Sequence, residues 1–211
     1  MTAGHILAAL VDAGRQCVDS GLVLASGGNL SARLPGTDTF VVTAAGSRLD
    51  RLTERDFAIV RLDGEPFVGG AGSAAPSSEW RLHQHTYLAR PDVEAVVHVH
   101  PEYAVLVDAM GERIRQLTLD HIAYAPVIER VPFHPNGSLE LAEAAATATR
   151  RGDCVILAHH GCSTVGTSPQ DALRKAQNLE SAARYTYRLL TLGNQTTEFP
   201  RTARTSATRH H

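Results

Sequence analysis

The sequence predicts an α/β domain built around a largely antiparallel sheet, and three observations carry that expectation. Its 211 residues, 43% apolar and 20% charged, suffice to bury a core of ordinary size without disulfide or metal staples. Helical periodicities are interleaved with short β-prone runs that turn back on themselves as hairpins. No internal repeat and no linker interrupts residues 1–193, which are therefore expected to form one domain, followed by a polar tail over 194–211. His210 and His211 close that tail, resemble the remnant of a tag, and are left out of site reasoning.

The elements follow in order. Ile6, Leu7, Leu10, Val11, Cys17 and Val18 recur at helical spacing, so the chain opens with an amphipathic helix broken at Gly27-Gly28. Two β-prone runs, Leu30–Leu34 and Phe40–Thr43, flank Pro35-Gly36-Thr37-Asp38 and read as a hairpin. A second hairpin is expected from Ala58–Leu62 and Pro66–Val68 around the Asp63-Gly64 turn. A small-residue loop over 69–76 leads to Ser77-Ser78-Glu79, a helix start, and the helix runs to Arg90 before Pro91-Asp92. Val93–Val99 is a β-branched strand, Glu102–Met110 a short helix, Pro126–Phe133 extended, and Ser138–Arg150 an alanine-rich helix. Cys154–Ala158 is a short buried strand turned at Gly161. The clearest helix begins at the Ser168 cap with Pro169 in its first turn and runs to Leu192 before Gly193.

Composition excludes disorder, collagen and coiled coil. A net charge of −2 without a basic block argues against nucleic acid or an anionic membrane as partner. No run of about 18 apolar residues exists, so no membrane-spanning helix is expected. Cys17, Cys154 and Cys162 are odd in number and lack CxxC pairing, which reads as reduced thiols; with no signal-peptide pattern at the N-terminus, a cytoplasmic location is expected. The chain holds 11 histidines but one lysine, Lys175, so imidazole chemistry has many candidates and lysine chemistry a single one.

Three constellations carry possible chemistry. His98-Val99-His100 ends a strand, where residues i and i+2 project from one face, and His159-His160-Gly161 follows a second strand. The pair reads either as half-exposed polar residues or as two ligands that a third imidazole would complete into a His₃ set with an open position, suited to zinc and also accepting iron, cobalt or nickel. Ser77-Ser78-Glu79 reads either as a helix N-cap or as an anion site with a carboxylate beside it able to move protons. Gly27-Gly28-Asn29 permits close backbone approach and offers an amide donor, but it is neither a P-loop nor a GxGxxG fingerprint.

Taken together, GGNLSAR (27–33), VVTAAGSRLDRL (41–52), PSSEWRLH (76–83), ARPDVEAVVHVHP (89–101) and LAHHGCSTVG (157–166) resemble the class II aldolase/adducin family over roughly residues 5–193. The resemblance implies a three-layer αβα fold with a mostly antiparallel central sheet, usually assembled as a cyclic homotetramer with sites near subunit interfaces. It implies a divalent metal, normally zinc, with manganese, cobalt or iron as other choices, on His98, His100 and His160, while His159 matches a variable position. Glu79 matches the acid/base carboxylate; Asn29, Gly46, Ser77 and Ser78 match the phosphate cradle. The implied reaction is reversible cleavage of a short ketose 1-phosphate, of the L-fuculose 1-phosphate kind, to dihydroxyacetone phosphate and a small aldehyde through a metal-stabilised enediolate. The imidazoles must be neutral to bind metal, so activity is expected to fall on the acid side.

Two departures from the family pattern stand out. Ala45 precedes Gly46 where a Thr or Ser is usual, removing one hydroxyl from the cradle, a loss on the order of 1 kcal/mol. His121, with Tyr124 three residues on, stands where a tyrosine usually helps protonate the leaving aldehyde. An imine mechanism needs a desolvated lysine, and Lys175, between Arg174 and Ala176 on the last helix, is expected to be solvated. His83 and His85, on the helix after Glu79, are expected to be structural or to stand behind the site. Other reactions of the same fold remain alternatives: a sugar-acid phosphate decarboxylase, an epimerase, a dehydratase, or a non-catalytic adducin-like binding module.

Overall fold

The structure, a computed structural model, describes residues 2–24, 26–64 and 74–200. Helix α1 (Ala3–Asp19) is capped by Thr2, and its buried Ile6, Leu10, Ala13 and Cys17 fall on one stripe at spacings of four, three and four. Strands β1 (Asn29–Arg33), β2 (Thr39–Thr43) and β3 (Phe57–Arg61) form an antiparallel meander, so the first expected hairpin is present. Strand β3 pairs with β2; the proposed return strand Pro66–Val68 and residues 69–73 of the small-residue loop lie outside the described residues, as do His210 and His211.

Helix α2 (Trp80–Ala89) follows, then β4 (Ala95–Val99), α3 (Glu102–Ala109), α4 (Leu119–Tyr124), β5 (Ile128–Val131), α5 (Leu139–Thr149), β6 (Cys154–Leu157), β7 (Gly161–Gly166) and α6 (Pro169–Thr191). Ser138 and Ser168 cap α5 and α6 through their side chains, as their positions before helical runs require. The start of α2 differs from expectation. Its N-cap is Glu79, whose side chain makes no capping bond, and the Glu79 N–H donates to Ser77 Oγ at 3.3 Å. Sequence patterning also misses α4 and β7. The former is under two turns long and too short for a periodic signal, while β7 (GCSTVG) begins and ends in glycine and carries one large apolar residue.

The seven strands are ordered β3-β2-β1-β4-β7-β6-β5, all antiparallel except the β5–β6 pair. Helices α1, α3, α4 and α6 lie on one face, with α6 packed across β4 and β7; α2 and α5 pack together on the other. Side-chain alternation along β4 divides the core. Ala95, Val97 and Val99 join the α1/α6 cluster, whereas Val96 joins Phe40, Val42, Trp80 and Tyr87 under α2. Each such Val is fully buried and contributes roughly 1.5–3 kcal/mol of transfer free energy. Parity therefore places His98, two residues past Val96, on the α2 face of a strand buried on both sides. Among the described residues no helix is long and apolar enough to cross a membrane.

Candidate metal centre

The cluster assembles at the end of the central strands. In the β1–β4 ladder Asn29 stands opposite His98, and in the β4–β7 ladder His98 stands opposite Ser163. His100 lies just past the end of β4, its backbone N–H donating to the Leu22 carbonyl. The third imidazole comes from the β6–β7 turn, closed by the His160 N–H donating to Leu157 O at 3.0 Å. Within that turn His159 carries φ 57, the one left-handed non-glycine among the described residues, and it is exposed. Its neighbour Gly161 is required by close approach: a Cβ there would run into Val99 O and lie 2.7 Å from His100 Cδ2. Glu79 enters from the first turn before α2, 4% exposed.

Ligand atoms of Glu79, His98, His100 and His160 all lie within 4.8 Å of one another. The three rings are 4.9–5.0 Å apart between centroids. His98 Nδ1–H donates to the Cys162 carbonyl at 3.0 Å, which turns Nε2 into the cluster. That nitrogen faces Glu79 Oε2 at 2.9 Å and His100 Nε2 at 3.0 Å, while His160 Nε2 is 3.5 Å from Glu79 Oε1. Nitrogen and carboxylate lone pairs so arranged repel unless a proton or a cation stands among them. Burial and the neighbouring imidazoles push His100 down to about 4, and burial also lowers His160, so both rings are neutral at pH 7 and able to ligate. Burial alone would raise Glu79, but His98, His160 and the Asn29 amide outweigh it and hold the carboxyl well below the usual range. A dianionic or trianionic pocket would favour hard cations; three imidazoles with one carboxylate fit a divalent transition metal. These four residues form a divalent-metal site, and Glu79 Oε1 is a buried oxygen within it that no hydrogen bond engages.

A cavity of about 160 Å³ opens beside the cluster, lined by Asn29, Gly46, Ser77, Ser78, Glu79 and His100 among others. All four residues matched to a phosphate cradle thus meet at one place. One donor is already engaged: Asn29 Nδ2 donates to Glu79 Oε2 at 3.1 Å, so only the second N–H of that amide remains for a ligand. Sequence reasoning missed Ser26, Ser47 and Asn136, which also line the cavity. Asn136 sits in a Pro-Asn-Gly segment before α5, far along the chain from the loops of Asn29, Gly46 and Ser77-Ser78. Its turn signal was legible but its destination was not.

His121 is not brought to this site within one chain. It lies on α4, across the sheet from Glu79, 2% exposed; its Nδ1 accepts from the Leu117 N–H, and its Nε2 meets Ser181 Oγ at 3.2 Å on α6. Both ring nitrogens thereby have partners, Nδ1 in the segment before α4 and Nε2 on α6. Lys175 also departs from expectation. Rather than being solvated, its ammonium is held by Asp153 at 2.8 Å, Val165 O at 2.9 Å and Asp171 at 3.1 Å. Burial would lower its pKa, but the two carboxylates raise it, which keeps the amine charged and unsuited to imine formation.

Comparison with known proteins agrees with this geometry. The family described as Class II Aldolase and Adducin N-terminal domain matches residues 8–187. An L-fuculose phosphate aldolase of Methanocaldococcus jannaschii is 34% identical over 172 residues, covering 82% of this chain and 90% of that protein. A 3-oxo-tetronate 4-phosphate decarboxylase of Haemophilus influenzae is 27% identical over 185 residues, covering 85% of this chain and 86% of that protein. Among solved structures, L-fuculose-1-phosphate aldolase from Thermus thermophilus has a TM-score of 0.77 at 29% identity, covering 92% of this chain and 99% of that one.

Proposed function

The chain belongs to the class II aldolase/adducin family and is a metal-dependent lyase of it, and from that premise we propose that it cleaves a short ketose 1-phosphate, of the L-fuculose 1-phosphate kind, reversibly to dihydroxyacetone phosphate and a small aldehyde. The observation that carries this proposal is the junction of the metal site with the cavity: Glu79 and His100 belong to both.

His98, His100 and His160 would hold the cation, zinc being the best match to neutral imidazoles, and it would supply a Lewis acid for charge developing on adjacent substrate oxygens. Gly46, with φ 75, and the hydroxyls of Ser77 and Ser78 would hold the phosphate through backbone and side-chain donors, with the second Asn29 N–H. Ser26 and Ser47 bring hydroxyls to the cavity that Ala45 cannot. As the C3–C4 bond breaks, the C4 hydroxyl loses its proton to become the aldehyde and the electron pair of the bond is left on C3. Glu79, ionised at the outset, would take up a proton in that exchange and deliver it to C3. Its Oε1 suits the task because no hydrogen bond engages it, whereas Oε2 is held by Asn29. In the synthetic direction the same oxygen takes that proton.

Homotetrameric assembly and a cytoplasmic location belong to the same proposal; three free cysteines, all buried, support a reducing compartment. A second reading, decarboxylation of a keto-acid phosphate, is favoured by the Haemophilus influenzae relative, because both reactions leave an electron pair beside a carbonyl. One experiment separates them. Zinc-loaded protein is incubated with dihydroxyacetone phosphate and a panel of short aldehydes, and in parallel with keto-acid phosphates. Carbon–carbon bond formation is expected; carbon dioxide release without it would select the decarboxylase, and neither product would sink both.

A further inference from the structure

Beyond the metal site, four buried polar side chains run back from Glu79 between β1 and α2. Glu79, His83 and Tyr87 are spaced i, i+4, i+8 on the helical side, and Asn29 and Ser31 are spaced i, i+2 on the strand, so two periodicities interdigitate. Asn29 Nδ2 lies 3.1 Å from Glu79 Oε2, Asn29 Oδ1 2.5 Å from His83 Nε2, His83 Nδ1 2.6 Å from Ser31 Oγ, and Ser31 Oγ 2.7 Å from Tyr87 Oη. All five residues are at most 4% exposed.

The chemistry of the groups sets the direction of every bond. An ionised carboxylate only accepts, so Asn29 must turn its NH₂ to Glu79 and its carbonyl oxygen to His83. His83 Nε2 must then carry a proton. Complete burial drives His83 down to about 3, so the ring is neutral and its Nδ1 is bare. That nitrogen accepts from the Ser31 hydroxyl, whose oxygen accepts in turn from Tyr87. Each donation points toward Glu79, and bonds aligned in this way reinforce one another. With His83 donating, the Asn29 amide cannot flip; a flipped amide would set two oxygens, Oδ1 and Glu79 Oε2, against each other.

We propose that His83 is a positioning residue: by donating from Nε2 to Asn29 it orients the amide that pins Glu79 Oε2, and thereby sets the carboxylate of the metal site with Oε1 facing outward from that contact. Its effect on turnover rests on Glu79 being the proton carrier proposed above; its effect on the metal site does not.

Two replacements and one spectrum test this. His83→Gln places an amide near the position of Nε2 and can still donate to Asn29, whereas His83→Asn places its amide near Nδ1 and falls short of Asn29. Nitrogen-15 imidazole spectra of the zinc-loaded protein are expected to show His83 as the neutral Nε2–H tautomer. Zinc affinity, measured by competition with a chromophoric chelator, and kcat are expected to stay near wild type in H83Q and to fall about tenfold or more in H83N, with KM unchanged. A role confined to packing would affect both variants alike. An Nδ1–H tautomer, or equal zinc affinity and kcat in H83N and H83Q, would overturn the proposal. Absence of aldol cleavage in the wild type would reject the proposed reaction alone, and the zinc affinities would then decide the positioning role.

Discussion

Asn29 stands directly opposite His98 in the β1–β4 ladder, and the two converge on the same atom: Asn29 donates to Glu79 Oε2, which His98 Nε2 faces at 2.9 Å. One carboxylate oxygen is therefore held from two adjacent strands while Oε1 has no hydrogen-bond partner. That asymmetry assigns different tasks to the two oxygens.

Glu79→Gln keeps the volume of the side chain and removes its proton chemistry. Three imidazoles remain, so zinc content measured by elemental analysis at saturating zinc is expected to stay stoichiometric, at reduced affinity, while kcat for ketose phosphate cleavage falls by about 10²–10⁴. Wild-type turnover in zinc-loaded E79Q would remove Glu79 from the proton-transfer role.

Stability of the metal-free protein is expected to decline below about pH 6.5. His83 has a folded value near 3 against 6.5 for the free side chain, so the unfolded chain binds the proton first. The contribution is fully present above 6.5 and is lost as pH falls toward 3, at about 1.4 kcal/mol per pH unit. His100, at about 4, acts in the same sense, and the depressed Glu79 adds a further loss below the ordinary carboxylate range. Urea midpoints at pH 7.5 and 5.5 check this; an unchanged midpoint would contradict it. Zinc is expected to dissociate over the same interval, because protons compete for the ring nitrogens.

Gly161→Ala inserts a methyl group between β7 and the end of β4, against Val99 O and His100 Cδ2. The backbones must part or His100 must turn. A loss of about 1–3 kcal/mol in unfolding free energy is expected, together with weaker zinc binding. Thermal unfolding with and without zinc separates the two effects, and a variant with wild-type zinc affinity would show that His100 does not depend on this close approach.

Lys175→Met is expected to leave aldol cleavage intact and to lower stability modestly, since Asp153 and Asp171 lose their shared cation. Borohydride added to wild-type protein with dihydroxyacetone phosphate should leave the protein mass unchanged. A reduced adduct on Lys175 would establish imine chemistry and displace the metal from the central role.

Residue type and spacing marked the histidine and Ser77-Ser78-Glu79 constellations and most of the elements that hold them, while the family resemblance joined them into one expected site. Strong signals did the marking: the i, i+2 histidines on a β-branched run, the helix capped at Ser168, and the hairpin turn at Pro35-Gly36. These depend on neighbours within a few residues, and local patterning reports them. What each polar group faces was settled by packing between distant segments. Packing turned the Glu79 side chain into the cluster rather than onto the helix end, committed Asn29 to Glu79, and brought Asn136 to the cavity from a distant loop. It placed His121 across the sheet, and Lys175 between two carboxylates. Hydrogen-bond partners and burial arise from contacts between segments remote in the chain, where residue type and spacing are silent. The run from Tyr87 to Glu79 shows this most plainly: Glu79, Asn29 and His83 stood out in the sequence, but Ser31, Tyr87 and the direction of the bonds came from the packing of one helix on one strand.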